Sequence, residues 1–209
     1  MFNLPIRAFL KNEFFRMLVA KKRPHVPEQF ETERLLIRVP QPGDGKAIND
    51  AIRESIDDLR PWMPWARVVP SVAESETFAR ESALRFRNHE DLPLHLFRKS
   101  DGLYLGGSGM HNIAWDVPRF EIGYWIRTSA VGHGYVTEAV RGIADMAFSK
   151  LNAIRLEIRC DSNNQRSAAV ALRAGFTLEA KLRCESRTPD GALRDTLIFS
   201  RLRDDLAAE

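Results

Sequence analysis

The chain has 209 residues, 44% of them hydrophobic and 28% charged, which is enough to bury one good core and fits one domain with an appendage. No apolar run approaches the roughly eighteen residues needed to span a bilayer, and the N-terminus lacks a small-residue cleavage site after an apolar core, so the expected compartment is the cytoplasm. Net charge is +3, but residues 1–30 carry +4 and the remainder sums to −1, which leaves the domain no electrostatic footprint for nucleic acid.

The first 20 residues place Phe2, Ile6, Phe9, Leu10, Phe14, Met17 and Leu18 at mostly helical spacing with basic residues between them, and this predicts a basic amphipathic helix. Its apolar stripe has several suitable partners: the domain itself, a second copy of the chain, a membrane surface or a ribosome. Pro24 to Pro27 ends this helix as a hinge, so residues 1–30 form an appendage and residues 31–209 the domain.

Leu35 and Ile37 alternate with Arg34, Leu36 and Arg38 and predict a first strand, followed by a helix from about Asp44 to Asp57. Leu59-Arg60-Pro61-Trp62-Met63-Pro64-Trp65 packs two tryptophans and two prolines into seven residues, a stiff aromatic loop or short helix. Ser71 and Glu74 form a capping-box pattern for a helix to Asn88. Strand periodicity then runs over Leu92–Lys99, Leu103–Asn112 and Arg119–Arg127, a three-stranded meander. A helix from about Gly134 to Lys150, a strand Ile154–Cys160, a helix from about Asn164 to Ala174 and strands Thr177–Arg187 and Leu193–Arg201 complete an α+β, three-layer domain with helices on both faces of a mostly antiparallel sheet.

Cys160 and Cys184 are too few and too far apart for a zinc or redox motif and read as small buried hydrophobes. The five histidines, His25, His89, His95, His111 and His133, show no ligand spacing, so no catalytic metal is expected. The segment that does promise chemistry is Val131-Gly132-His133-Gly134-Tyr135-Val136, between a strand and a helix. Its two glycines let the chain expose successive N–H groups, and the helix start adds unpaired donors and a positive dipole end, which suits a pyrophosphate. An ordinary strand-to-helix turn uses the same residues. The third glycine of a dinucleotide fingerprint and the lysine of a P-loop are both missing.

With FEIGYWI (Phe120 to Ile126), GHGYVTEAV (Gly132 to Val140), CDSNNQRSAAVALRAGF (Cys160 to Phe176), ETERLLIR (Glu31 to Arg38) and LRPWMPW (Leu59 to Trp65) in order, the chain resembles the GNAT superfamily, and more closely its RimJ/RimL-type ribosomal-protein N-terminal acetyltransferases. The resemblance covers residues 31–203 and implies the acyl-CoA N-acyltransferase fold, a splayed sheet with acetyl-CoA wedged between the strands of Tyr124 and Glu157. Pantetheine would pair with the backbone of Trp125, Ile126 and Arg127, and the N–H groups of Val131, Gly132, His133, Gly134, Tyr135 and Val136 would hold the pyrophosphate. Val131 and Val136 depart from the family's usual Arg or Gln and Gly or Ala.

Acetyl transfer to an amine needs a proton acceptor, and strand alternation puts Glu121 on one face with Gly123 and Trp125, where an amine could approach. The resemblance also implies that Asn164 binds cofactor and that Ser167 serves the departing thiolate, since the tyrosine acid of many relatives is matched by Ala171. Helix capping is the competing role for Asn164 and Ser167, and a salt-bridged strand position the competing role for Glu121. Trp62, Met63 and Trp65 would wall the acceptor slot. The expected acceptor is a protein or peptide N-terminus, with a small-molecule amine or a non-catalytic acyl-CoA-sensing module as the alternatives.

Overall fold

A computed structural model describes residues 24–207; the amphipathic helix expected over the first 20 residues lies outside the described residues. Eight strands form one sheet: β1 (Gln29–Glu31), β2 (Leu35–Arg38), β3 (Leu92–Arg98), β4 (Tyr104–Ala114), β5 (Arg119–Ile126), β6 (Arg155–Asp161), β7 (Thr177–Arg187) and β8 (Leu193–Leu202), in the order β1-β2-β3-β4-β5-β6-β8-β7. Helices α1 (Gly45–Leu59) and α2 (Val72–Arg87) follow β2, α3 (Tyr135–Lys150) joins β5 to β6, and α4 (Gln165–Arg173) joins β6 to β7.

Every strand pair is antiparallel except β5 with β6. Those two run parallel for three residues, Arg119 to Glu121 against Arg155 to Glu157, and then part. The sheet is therefore splayed at its middle, as the resemblance implied. Leu94, Met110, Phe120 and Ile122 pack with Val140, Ile143, Ala144 and Ala147 of α3 in the larger core. A second cluster joins Ile48, Ala51, Ile52 and Ile56 of α1 to Tyr104, with Phe97 and Trp125 at its edge. Alternation along β5 sends Phe120 and Ile122 to one face and Trp125 to the other, so the two clusters lie on opposite faces.

The domain starts upstream of its expected boundary. Val26 is buried in the larger core and the Val39 amide donates to Glu28 O at 2.8 Å, so the segment read as a hinge is packed, because a buried valine recovers more than a free linker would. The capping box is present: Ser71 Oγ accepts from the Glu74 amide at 3.2 Å, and the Ser71 amide donates to Glu74 Oε2 at 2.7 Å. The Leu59–Trp65 segment is a run of turns, with the Met63 amide on Leu59 O and the Ala66 amide on Met63 O, both at 2.9 Å. Cys184 departs from its reading. It is exposed on β7 at φ +52°, where the β7–β8 register shifts between Leu182 and Ser186, because the irregular edge strand turns it out of the ladder.

Asp44 fixes where α1 begins. Its carboxylate takes Arg38 at 2.6 and 2.8 Å, the Gln41 amide at 2.8 Å and His95 Nδ1 at 3.2 Å, nearly all out of solvent. Burial alone would raise this carboxyl, but the bonds from His95, Arg38 and Gln41 hold it well below the usual carboxylate range. Burial pushes the His95 ring down, against the pull of Asp44, so it sits neutral. Both groups carry depressed values, so both lend stability above their ordinary values that disappears as the pH falls, beginning with His95 near about pH 6.5. Asp44→Asn strands Arg38 and should cost about 3 kcal/mol at neutral pH, read from urea midpoints. The difference from the parent protein should shrink as the buffer is taken below about pH 4, since there the unfolded parent takes up a proton that the folded carboxylate refuses.

Candidate functional site

Where β5 and β6 part, both strands turn side chains into a cleft of about 600 Å3 that continues over the α1–α2 face. Ile122, Gly123, Tyr124 and Trp125 come from β5, and Ile158, Arg159, Cys160 and Asp161 from β6. Beyond the gap, β5 runs into a 3-10 turn at Thr128–Ala130 and then into the glycine loop. Gly132 and Gly134 have φ of +85° and +79°, and Gly134 is the residue from which α3 starts. Only glycine takes this left-handed backbone at low cost. The exposed chain from Val131 to Gly134 therefore ends on the first turn of α3, whose N–H groups and dipole face outward.

Two carboxylates hold this loop, and neither is legible as a site residue in the sequence. Glu54 of α1 accepts Arg127 Nε at 2.9 Å and the Ser129 amide at 2.7 Å. The Arg127 bond above all lowers its carboxyl to about 2. Glu138 in the first turn of α3 accepts Thr32 Oγ1 at 2.6 Å, the Arg34 amide at 2.8 Å and Arg34 Nε at 2.6 Å. Burial would raise Glu138, yet these donors keep it below its ordinary value. Arg34 also donates to His133 O at 3.0 Å and lies 4.6 Å from the Tyr135 ring centre. The loop is thus braced from the β1–β2 turn on one side and α1 on the other.

The backbone expected to face the gap is only partly available. The Arg127 amide donates to Leu105 O at 2.7 Å and its carbonyl accepts from Ala130 at 3.0 Å, so Arg127 is used up. Antiparallel alternation then turns the main chain of Trp125, paired with Gly107, toward β4 as well, and leaves Tyr124 and Ile126 with groups on the gap side.

Asn164 and Ser167 both line the cleft, and Asn164 Oδ1 caps α4 by accepting the Ser167 amide at 3.0 Å. Ala171 is fully buried. The hydroxyl that reaches this helix comes instead from β5: Tyr124 Oη donates to Ser167 O at 3.0 Å and lies 3.1 Å from Ser167 Oγ. Burial pushes the Tyr124 phenol well up, so it stays protonated. Burial also raises the Cys160 thiol, with Ser167 acting against it.

Trp62, Met63 and Trp65 line the far wall, where Trp65 meets Trp125 edge-on at 5.7 Å between centroids. Glu121 is not brought to them. It sits on the last β5–β6 rung, receives Asn112 Nδ2 at 2.7 Å, and is absent from the residues lining the cleft. The near wall holds a pair the sequence reading passed over, His111 on β4 and Asp91 just before β3, with His111 Nδ1 and Asp91 Oδ1 2.6 Å apart. His111 could have been suspected from β4, where it shares one strand face with Gly107 and Gly109, whereas nothing local marks Asp91. Among the described residues no group of three or more His, Cys, Asp or Glu could hold a metal ion, and no helix is long and apolar enough to cross a membrane.

A family model described as an acetyltransferase (GNAT) domain matches residues 34–177. YdaF of Bacillus subtilis (strain 168), provisionally named a ribosomal N-acetyltransferase, is 28% identical over 179 residues, 85% of this chain and 96% of that one. The ribosomal-protein-serine acetyltransferase of Escherichia coli (strain K12) is 32% identical over 84 residues, 40% of this chain and 46% of that one. Among solved structures, the microcin C7 self-immunity acetyltransferase MccE, in complex with acetyl-CoA and AMP, superposes with a TM-score of 0.75 at 26% identity, covering 82% of this chain and 93% of that one.

The two thiols should separate by environment. With a disulfide reagent such as dithionitrobenzoate, the exposed Cys184 should react in a fast phase and Cys160 slowly, because only a thiolate with access attacks. Cys184→Ser should remove the fast phase and leave the slow one.

Proposed function

The chain belongs to the GNAT acetyltransferase family, and on that basis we propose that it moves the acetyl group of acetyl-CoA onto a primary amine, first of all the N-terminal amino group of a protein or peptide. The observation that carries this reading is the parting of β5 from β6 directly upstream of the glycine loop at the head of α3. An extended pantetheine arm fits a sheet opened in this way, hydrogen-bonded to the gap-side backbone of Tyr124 and Ile126. The pyrophosphate then meets the amides from Val131 to Val136. Acetyl-CoA bound in MccE supports the same donor here, and the names of YdaF and the Escherichia coli relative support a ribosomal-protein acceptor.

The acetyl thioester would lie between Gly123 and Cys160, within reach of Ser167. Nucleophilic attack by the amine builds negative charge first on the carbonyl oxygen and then on sulfur. Ser167 Oγ gives its proton to the leaving thiolate and recovers one from the amide nitrogen, while Tyr124, which keeps its own proton, holds the serine in place. Asn164 spends its carbonyl on the helix, which leaves its Nδ2 hydrogens for the cofactor. Glu121, outside the cleft, reaches the amine only through water. Val131 cannot add a charged side chain to the pyrophosphate, so binding there rests on main-chain donors.

Trp62, Met63, Trp65 and Phe78 form a wall broad enough for the first residues of a peptide. The same aromatic surface favours a second acceptor, a small amine with a planar group to stack.

Thiol release from acetyl-CoA, followed across peptides that differ at residue one and across small amines, should show turnover with one acceptor class. Tight acetyl-CoA binding with no thiol release in either panel would overturn the transfer reading in favour of a sensing module. Gly134→Val, which forces a branched residue to positive φ, should weaken acetyl-CoA binding about tenfold by calorimetry, with little effect on acceptor preference.

A further inference from the structure

We propose that His111, oriented by Asp91, takes the proton from the attacking amine. The inference rests on the acetyl-transfer reading and assigns that reaction its base. On the face of the sheet that carries the cleft, β4 and β5 are nearly bare: Gly107 and Gly109 stand opposite Trp125 and Gly123. His111, opposite Glu121, is the first side chain of β4 beyond this bare floor. Its ring folds back over it. A Cβ added at Gly123 would come 3.2 Å from His111 Cδ2 and 3.3 Å from Nε2, so the Nε2 edge lies over the second residue past the point where β5 and β6 part.

The other ring nitrogen faces Asp91 Oδ1 at 2.6 Å. An ionised carboxylate only accepts, so Nδ1 carries the hydrogen and the Nε2 lone pair is left for the cleft. Asp91 and the ring are each partly open to solvent, which gives the proton a way out. Around this ring stand Asp91 from the β3 end and Glu121 across the ladder, while Arg85 of α2 and Arg159 of β6 line the same cleft. Another His–Asp pair, His95 with Asp44, is different: it is buried, and Arg38 closes on the same carboxylate, so its charges are already spent on the fold.

His111 Nε2 takes one proton from the ammonium and so frees the nitrogen pair, which forms the C–N bond while the carbonyl π pair moves to oxygen. Collapse restores C=O and expels the thiolate. Ser167 protonates the thiolate to CoA thiol and recovers a proton from the amide nitrogen, and His111 returns its own to water.

His111→Gln should lower turnover with alkyl amines or peptides about 100-fold or more, while leaving acetyl-CoA affinity within about twofold, since the ring is not placed to hold the cofactor. With methoxyamine, an amine too weakly basic to be protonated at neutral pH, the loss should shrink below about tenfold. Asp91→Asn should give an intermediate loss that disturbs the tautomer. Nitrogen NMR of the intact protein in alkaline buffer should show His111 protonated on Nδ1. An Nε2–H tautomer, or a His111→Gln enzyme that keeps most of its turnover while Glu121→Gln loses it, would overturn the assignment. Silence of the parent protein with every amine would instead reject acetyl transfer itself, and the base with it.

Discussion

The site depends on the brevity of one strand pairing. β5 and β6 share three residues of parallel ladder, from Arg119 to Glu121, and then diverge while both strands continue. Beyond Glu121 the gap-side groups of β5 have no strand partner at β6, and unpaired backbone donors and acceptors need water or a ligand. A protein that left such an edge in its middle by accident would invite misplaced pairing. Here the opening is held by elements on both faces, which turns a weak point of the sheet into a slot.

What holds it open is mostly charge placed at chain ends. Glu54 grips the chain as it leaves β5, Glu138 ties the head of α3 to the β1–β2 turn, and Asp44 ties the head of α1 to β2 and β3. Each carboxylate accepts at least one backbone N–H as well as an arginine, so each fixes geometry in two directions at once. Glu76 of α2 does the same for the start of α1, accepting the Gly43 and Gly45 amides. Hydrophobic packing supplies most of the stability, and these bonds decide where the helix ends stand relative to the gap.

The two histidine–aspartate pairs show how burial assigns roles to identical chemistry. His95 and Asp44 lie out of solvent with Arg38 completing the charge balance, and they serve the fold. His111 and Asp91 sit at the cleft wall, half exposed and over a bare glycine floor. A titratable group needs both access and an orienting partner to move protons, and of the two pairs only the second combines them.

Element types and order were legible in the sequence because they are local. Period-two and helical patterns marked β3 to β6 and the four described helices, Ser71 with Glu74 marked the start of α2, and Gly132 and Gly134 marked the loop. The motifs carried the family resemblance for the same reason. The bracing of that loop by Thr32 and Arg34, more than a hundred residues upstream of Glu138, could not be read from spacing. Nor could the packing of Val26, or the side of β5 to which Arg127 turns its amide, since strand alternation fixes faces but pairing decides which edge is free. Glu121 was favoured as a base because it shares a face with Gly123. Only the tertiary structure decided that the strands part just beyond it, which leaves Glu121 on the last rung and brings His111, from a neighbouring strand, over the gap. Side-chain chemistry and local period are properties of the sequence, whereas which groups meet across a sheet depends on register, and register is set by the whole core.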